Sequence, residues 1–186
     1  GIIGTGAIGR HVTKIAKGFS MQVIACDPDG KATDLEYMDL PDLLKRADII
    51  SLHVPATAKT KNMISTEQFN HMKDGVIIIN TARGSIIDVK ALLHALNSGK
   101  VGGAGLDVLP EEPDLREEAE MLYTRFTKKH DYETLLLDHA LLRHKNVIIT
   151  PHSAFYTQEA VQKILDVTKE NICAFLDRHP INEVKK

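Results

Sequence analysis

Two spacings of apolar residues alternate along this chain. Short continuous runs at Gln22 to Cys26, Asp48 to His53, Val76 to Ile79, Val101 to Val108 and Val147 to Ile149 have the length and β-branched content of buried strands. Between them the apolar positions return every three or four residues, as on one face of a helix. Ile8, Val12, Ile15, Ala16 and Phe19 predict a helix from about Ala7 to Lys17 with one buried stripe, ended by Gly18. Pro41 to Arg46 predicts a short helix, and Ser65 with Gln68 has the capping-box spacing for another that runs to about Met72. Asp88 is placed to cap a helix over Ala91, Leu92, Ala95 and Leu96, which Gly99 stops. A long amphipathic helix follows from about Thr157, with Val161, Ile164, Leu165, Thr168, Ile172, Phe175 and Leu176 on one face. With a first strand at the N-terminus, the alternation predicts an α/β fold: about six mostly parallel strands in a doubly wound sheet, with helices on both faces. The unbroken run Val76 to Ile79 predicts a strand buried on both sides. Three glycines between Val101 and Val108 predict a close neighbour on at least one face of that strand.

Length and composition narrow the picture. With 186 residues, 43% of them hydrophobic, the chain has material for one substantial core, so a single domain is expected over residues 1–186. Twenty-three basic against 25 acidic residues leave a net charge of −2, with no basic face that would mark a nucleic-acid partner. Cys26 and Cys173 are too few for a disulfide framework and read as reduced core thiols. No stretch approaches the ~20 apolar residues of a membrane span, and the N-terminal residues given do not read as a charged-then-apolar leader, so none is expected. A cytoplasmic protein with no membrane partner is the expectation. Asp114 to His144 breaks the alternation and reads as a surface excursion with short helices. Only Gly1, Ile2 and Ile3 precede the first glycine turn, where a strand of about five residues is expected, so the first strand reads as cut and an upstream portion as missing.

The chemistry begins at that turn. Gly4-Thr5-Gly6-Ala7-Ile8-Gly9 matches G-x-G-x-x-G, a spacing that permits a tight turn, close approach of backbone to a pyrophosphate, and tight packing of helix on strand. The N–H groups and positive dipole end of the following helix would hold the phosphates. Asp27 stands at the end of the second strand, 23 residues beyond Gly4. An acidic group there accepts hydrogen bonds from the adenosine ribose hydroxyls and repels a 2′-phosphate, which favours NAD over NADP on a Rossmann-type sheet. Asp27-Pro28-Asp29-Gly30 also has the composition of a turn, and the two roles are compatible. Gly4, Asp27, Val54, Arg83, Asp107 and His152 all fall at or just beyond C-terminal strand ends, the edge on which such sheets bind ligands. Val54 and Pro55 fall where the adenosine half of a cofactor would lie. No spacing among the other histidines suggests a metal site.

The ordered set Gly4 to Gly9, Asp27, His53-Val54-Pro55, Asn80-Thr81-Ala82-Arg83-Gly84, Gly105-Leu106-Asp107-Val108 through Glu112-Pro113, and Thr150-Pro151-His152 resembles the D-isomer-specific 2-hydroxyacid dehydrogenases along nearly the whole chain. The Asp114 to His144 segment and Ser153-Ala154-Phe155-Tyr156-Thr157 look most like the D-lactate dehydrogenase branch. The resemblance implies an NAD-dependent enzyme that interconverts a 2-keto acid such as pyruvate and a D-2-hydroxy acid. Arg83 matches the catalytic arginine, whose planar fork grips the substrate carboxylate and polarises the neighbouring carbonyl. His152 matches the general acid, and Glu112 the carboxylate that pairs with it and favours its charged form. The cofactor-binding positions implied are Gly4, Gly6, Ala7, Ile8, Gly9, Asp27, Val54, Pro55, Thr81, Ala82, Arg83 and Asp107, the last beside the nicotinamide carboxamide. Phe155 and Tyr156 would shape the pocket wall. A homodimer through the cofactor domain is implied as well, and the 154–186 helix would pack toward a substrate domain. Two departures stand out. Ala7 occupies a fingerprint position that is often basic or histidine in the family, and the upstream substrate domain is lacking. An NAD(H)-sensing regulator of the same fold, resembling the corepressor branch, is the alternative from another functional class. The D-2-hydroxyisocaproate, glyoxylate or hydroxypyruvate, and 3-phosphoglycerate dehydrogenases are the alternatives within the enzyme class.

Overall fold

The chain takes the parallel arrangement that its alternation predicts, with one more strand than expected. The computed structural model describes residues 1–30, 34–110 and 132–183. Seven strands, β1 Ile2–Ile3, β2 Ile24–Cys26, β3 Glu36–Tyr37, β4 Ile49–Leu52, β5 Val76–Asn80, β6 Val101–Leu106 and β7 Val147–Ile149, form one sheet in the order β3-β2-β1-β4-β5-β6-β7. Every neighbouring pair is parallel. The additional strand, β3, is two residues of polar and aromatic character with no apolar run to announce it. The chain winds outward from β1 to β3, crosses back to β4, and then winds the other way to β7. Crossovers of one hand place the helices of the two halves on opposite faces of the sheet.

The helices are α1 Ala7–Gly18, α2 Leu40–Arg46, α3 Thr66–His71, α4 Val89–Asn97, α5 Tyr132–Leu142 and α6 Gln158–Leu176. Their ends follow local chemistry. Asp39 caps α2 by accepting from Asp42 N at 3.1 Å, and Asp88 caps α4 by accepting from Ala91 N at 3.0 Å. Gln68 Oε1 accepts from Ser65 N–H at 3.2 Å at the start of α3. Thr157 Oγ1 accepts from Ala160 N at 3.2 Å at the start of α6. Gly99, at φ +78°, follows α4 in a conformation that glycine adopts at no steric cost. One core joins Leu43 and Leu44 of α2, Phe69 of α3 and Leu92 of α4 to Ile50, Leu52, Val76 and Ile78 of the sheet.

By compactness the chain divides into two units, Gly1–Pro151 and His152–Lys186. The first carries the sheet, and the second is α6 with the segments that flank it.

Three expectations about burial are corrected. On α1, Ile8, Ile15 and Phe19 are 63%, 59% and 73% exposed, while Gly9 and Thr13 are its buried residues. The close contact of Gly9 with the preceding turn fixes the helix by its Gly9–Thr13 line, and that turns three of the five stripe residues outward. Strand β5 is not buried on both sides, because Ile77 is 40% exposed on the face it shares with Ile49 and Ile148. Cys173 is not a core thiol. It is exposed on α6, none of whose residues is buried, and Cys26 is half-buried. The glycine-rich strand behaves as expected: a Cβ on Gly102 would lie 2.6 Å from the Gly75 carbonyl oxygen. The excursion that opens at Asp114 lies outside the described residues up to 131.

Candidate functional site

The strand order reverses between β1 and β4, and the fingerprint glycines lie at that point. Each has its own reason. Gly4 has φ +92°, and a Cβ there would fall 2.6 Å from the His53 carbonyl oxygen at the end of β4. A Cβ on Gly9 would fall 2.0 Å from the Gly4 carbonyl oxygen. Gly6 is different, since a Cβ there would meet nothing within 4 Å. Packing accounts for Gly4 and Gly9, whereas the space beside Gly6 is what a close-approaching ligand would use. Gly6 is also the N-cap of α1, which has no side-chain cap and no acidic residue in its first turn. That end of the helix suits an anion. Ala7 and Ile8 are exposed in the same turn.

Asp27 follows β2 and is tied directly to the fingerprint. Its Oδ2 accepts from Thr5 N–H at 2.6 Å and from Thr5 Oγ1 at 2.9 Å, and its Oδ1 accepts from Asp29 N–H at 2.9 Å. Partial burial pushes the carboxyl group up, but the hydrogen bonds from Thr5 and Asp29 outweigh it and hold the group below its ordinary value of 3.8. Tyr37 on β3 donates from its hydroxyl to Thr5 Oγ1 at 3.1 Å. A chain of donors from Tyr37 through Thr5 thus orients the carboxylate. Neither residue was singled out from sequence. Thr5 was available as the variable position inside the fingerprint, whereas Tyr37 carried no signal because its strand has none.

At the end of β4, Val54 is half-buried, and its Cγ1 would lie 3.0 Å from a Cβ on Gly4. The Pro55 carbonyl accepts from Thr60 Oγ1 at 2.6 Å. His53 Nε2 lies 2.9 Å from Ser51 Oγ, and burial lowers the His53 pKa from its ordinary 6.5.

A second group sits at the ends of β5 and β6. Arg83 is exposed and extended (φ −148°, ψ 142°), and its Nη1 donates to the Ala82 carbonyl at 2.6 Å. Thr81 and Ala82 are half-buried before it, and Ala82 N–H donates to Asn80 Oδ1 at 3.0 Å. Asp107 is 3% exposed; its Oδ1 accepts a short hydrogen bond from Thr150 Oγ1, and its N–H donates to the Asn80 carbonyl at 2.9 Å. Gly4, Asp27, Val54, Arg83 and Asp107 are therefore all carried at the C-terminal edge of one sheet. His152 opens the second unit. It is half-buried with φ +50°, and its ring meets Phe155 edge-on with centroids 6.0 Å apart. Phe155 stands edge-on to Tyr156 at 6.1 Å. Glu112 lies outside the described residues. Among the described residues no cluster of His, Cys, Asp and Glu has the makings of a metal site, and no helix is long and apolar enough to cross a membrane.

Residues 1–154 match the model of the D-isomer specific 2-hydroxyacid dehydrogenase NAD-binding domain. The chain belongs to this family. As a 2-hydroxyacid dehydrogenase NAD-binding domain it is similar to the D-specific alpha-keto acid dehydrogenase of Enterococcus faecalis, at 41% identity over 94% of this chain and 51% of that protein. It is also similar to a hydroxypyruvate reductase of Thermotoga maritima, at 44% identity over 88% of this chain and 48% of that protein. Among solved structures, the D-lactate dehydrogenase from Aquifex aeolicus complexed with NAD and lactic acid aligns with a TM-score of 0.84 and 39% identity. That alignment covers 96% of this chain and 53% of the other. The chain spans about half the length of the curated relatives it matches.

Proposed function

We propose that this chain is the cofactor-binding half of an NAD-dependent oxidoreductase that interconverts a small 2-keto acid and the matching D-2-hydroxy acid. The observation that carries the reading is the Asp27 carboxylate, held ionised by Thr5 and Asp29 one strand away from the open face of Gly6. That pair suits an adenosine ribose and a pyrophosphate of one dinucleotide. NAD, when bound there, would supply or accept the hydride. This chain's residues supply the rest. Gly4, Gly6 and Gly9, with Ala7 and Ile8, present backbone to the phosphates, and Val54 and Pro55 line the adenosine side. Thr81, Ala82 and Asp107 would hold the nicotinamide end. Arg83 holds the substrate carboxylate in a bidentate grip and draws charge toward the carbonyl oxygen. His152 gives its proton to that oxygen in the reducing direction and takes it back in the other, with Glu112 favouring its charged form.

The substrate is proposed to be pyruvate or a close analogue. The similarity to a hydroxypyruvate reductase supports hydroxypyruvate as a second candidate. The homodimer through the cofactor domain and the cytoplasmic location also belong to this proposal, as does packing of the 154–186 helix toward a substrate domain outside this chain.

The test is NADH oxidation by the full-length protein with a panel of pyruvate, hydroxypyruvate, glyoxylate and 2-oxoisocaproate, followed by chiral analysis of the product. The expected outcome is turnover of at least one acid to its D-hydroxy product. No turnover with any of them, or an L-product, would remove the reading.

A further inference from the structure

Arginine reaches its partner through a long side chain with many rotamers, so its aim depends on where the backbone starts it. The structure fixes that start through Asn80. This residue ends β5, where an apolar run gives way to a side chain that is 1% exposed. A buried amide in such a place is costly unless both of its ends are paired. Here both are. Nδ2 donates to the Arg83 carbonyl at 3.0 Å, and Oδ1 accepts from Ala82 N–H at 3.0 Å. The Asn80 main-chain carbonyl accepts from Asp107 N–H at 2.9 Å, so the same residue also holds the end of β6. On the far side of Arg83 the chain is pinned a second time. A Cβ on Gly84 would fall 2.2 Å from the Leu109 carbonyl carbon and 2.4 Å from its oxygen, which means that the turn lies directly on the backbone of Leu109 and Pro110.

We propose that Asn80 is a positioning residue for Arg83: its buried amide sets the turn that aims the guanidinium, and the Gly84 contact locks this turn to the strand end bearing Asp107. The proposal rests on Arg83 being the ligand of the substrate carboxylate. Displacement of such a group by about 1 Å is enough to cost on the order of 100-fold in rate. Asn80 touches neither substrate nor cofactor in this account and acts only through the arginine.

The test is a double-mutant cycle in the full-length protein, with Asn80→Ala, Arg83→Ala and the double variant compared for keto-acid reduction, alongside direct titration with NADH. Arg83→Ala is expected to lower kcat/KM by at least 100-fold. Asn80→Ala is expected to lower it by at least tenfold, with a raised KM for the keto acid and an NADH Kd within twofold of wild type. Combined with Arg83→Ala, it should add less than about twofold, because residues that act through one another are not additive. Independent, multiplying losses would overturn the proposal, as would an Asn80→Ala enzyme with unchanged kcat/KM. Near wild-type turnover by Arg83→Ala would instead overturn the functional reading, and this proposal with it. Asn80→Asp keeps the shape and the acceptor for Ala82 N–H but loses the donor to Arg83. It replaces Asn80→Ala in the cycle if that variant does not fold, with the same outcomes expected.

Discussion

Single residues divide into those whose type announces their work and those whose work shows only in the partners that the folded chain gives them. Asp27 stands out in the sequence because an acid at that distance from a glycine turn has a specific use, proposed here to be the ribose, and the structure adds why its carboxylate stays ionised. Tyr37 carried no signal, and Asn80 appeared only as part of a matching stretch with no role of its own. A tyrosine in a two-residue strand acquires meaning only when the fold brings Thr5 to it, and an asparagine at the end of an apolar run only when its burial and the turn to Arg83 are known. Sequence pattern marks His53 only as the end of a strand, but its burial beside Ser51 gives it a measurable consequence. Its folded-state pKa lies below the unfolded value of 6.5, so the unfolded state binds the proton more readily. The stabilising effect of the neutral ring is complete above pH 6.5 and is lost progressively as the pH falls below it. The urea midpoint of the wild type is therefore expected to fall more between pH 7.5 and pH 5.5 than that of His53→Asn. Equal slopes in the two proteins would show that His53 does not carry this dependence.

Periodicity located the helices and the apolar strands but not β3, and it did not locate their buried faces. The expected cap at Asp88 fixes the start of α4, and the structure adds Asp39 for α2, because a side-chain oxygen three residues before an unpaired N–H is a local device. The buried face of α1 is a different matter. Its apolar stripe pointed to Ile8, Ile15 and Phe19, but the approach of Gly9 to the Gly4 carbonyl outweighs that preference and buries Gly9 and Thr13. The proposed function therefore gives the glycine turn two separable roles within one element, and substitution separates them. Gly9→Ala places a Cβ 2.0 Å from the Gly4 carbonyl oxygen, and a loss of about 2 kcal/mol or more in unfolding free energy is expected. Gly6→Ala meets no atom within 4 Å. It should leave the thermal midpoint unchanged while weakening NADH binding at least tenfold. The pair is checked by thermal unfolding and NADH titration of the same samples, and a Gly6→Ala protein with wild-type affinity would contradict the assignment.

The molecule as a whole is organised around the reversal of strand order between β1 and β4. Alternating patterns predicted a parallel doubly wound sheet, yet they could not order the strands, because order depends on the hand of crossovers and not on any one segment. Once the order is known, Asp27 on one side of the reversal and Arg83 and Asp107 on the other fall along one edge, although they are widely separated in sequence. The apolar side chains left exposed on the sheet at Ile77 and Ile148 are equally a property of the whole, since a strand pattern does not tell which of its faces meets a partner. The central claim is that this edge holds NAD, with Asp27 reading the ribose. Calorimetric titration of the full-length protein with NADH and NADPH tests it most directly. NADH is expected to bind at least ten times more tightly, and Asp27→Asn should bring the two affinities toward each other. Equal affinity in the wild type, or a preference for NADPH, would contradict the account.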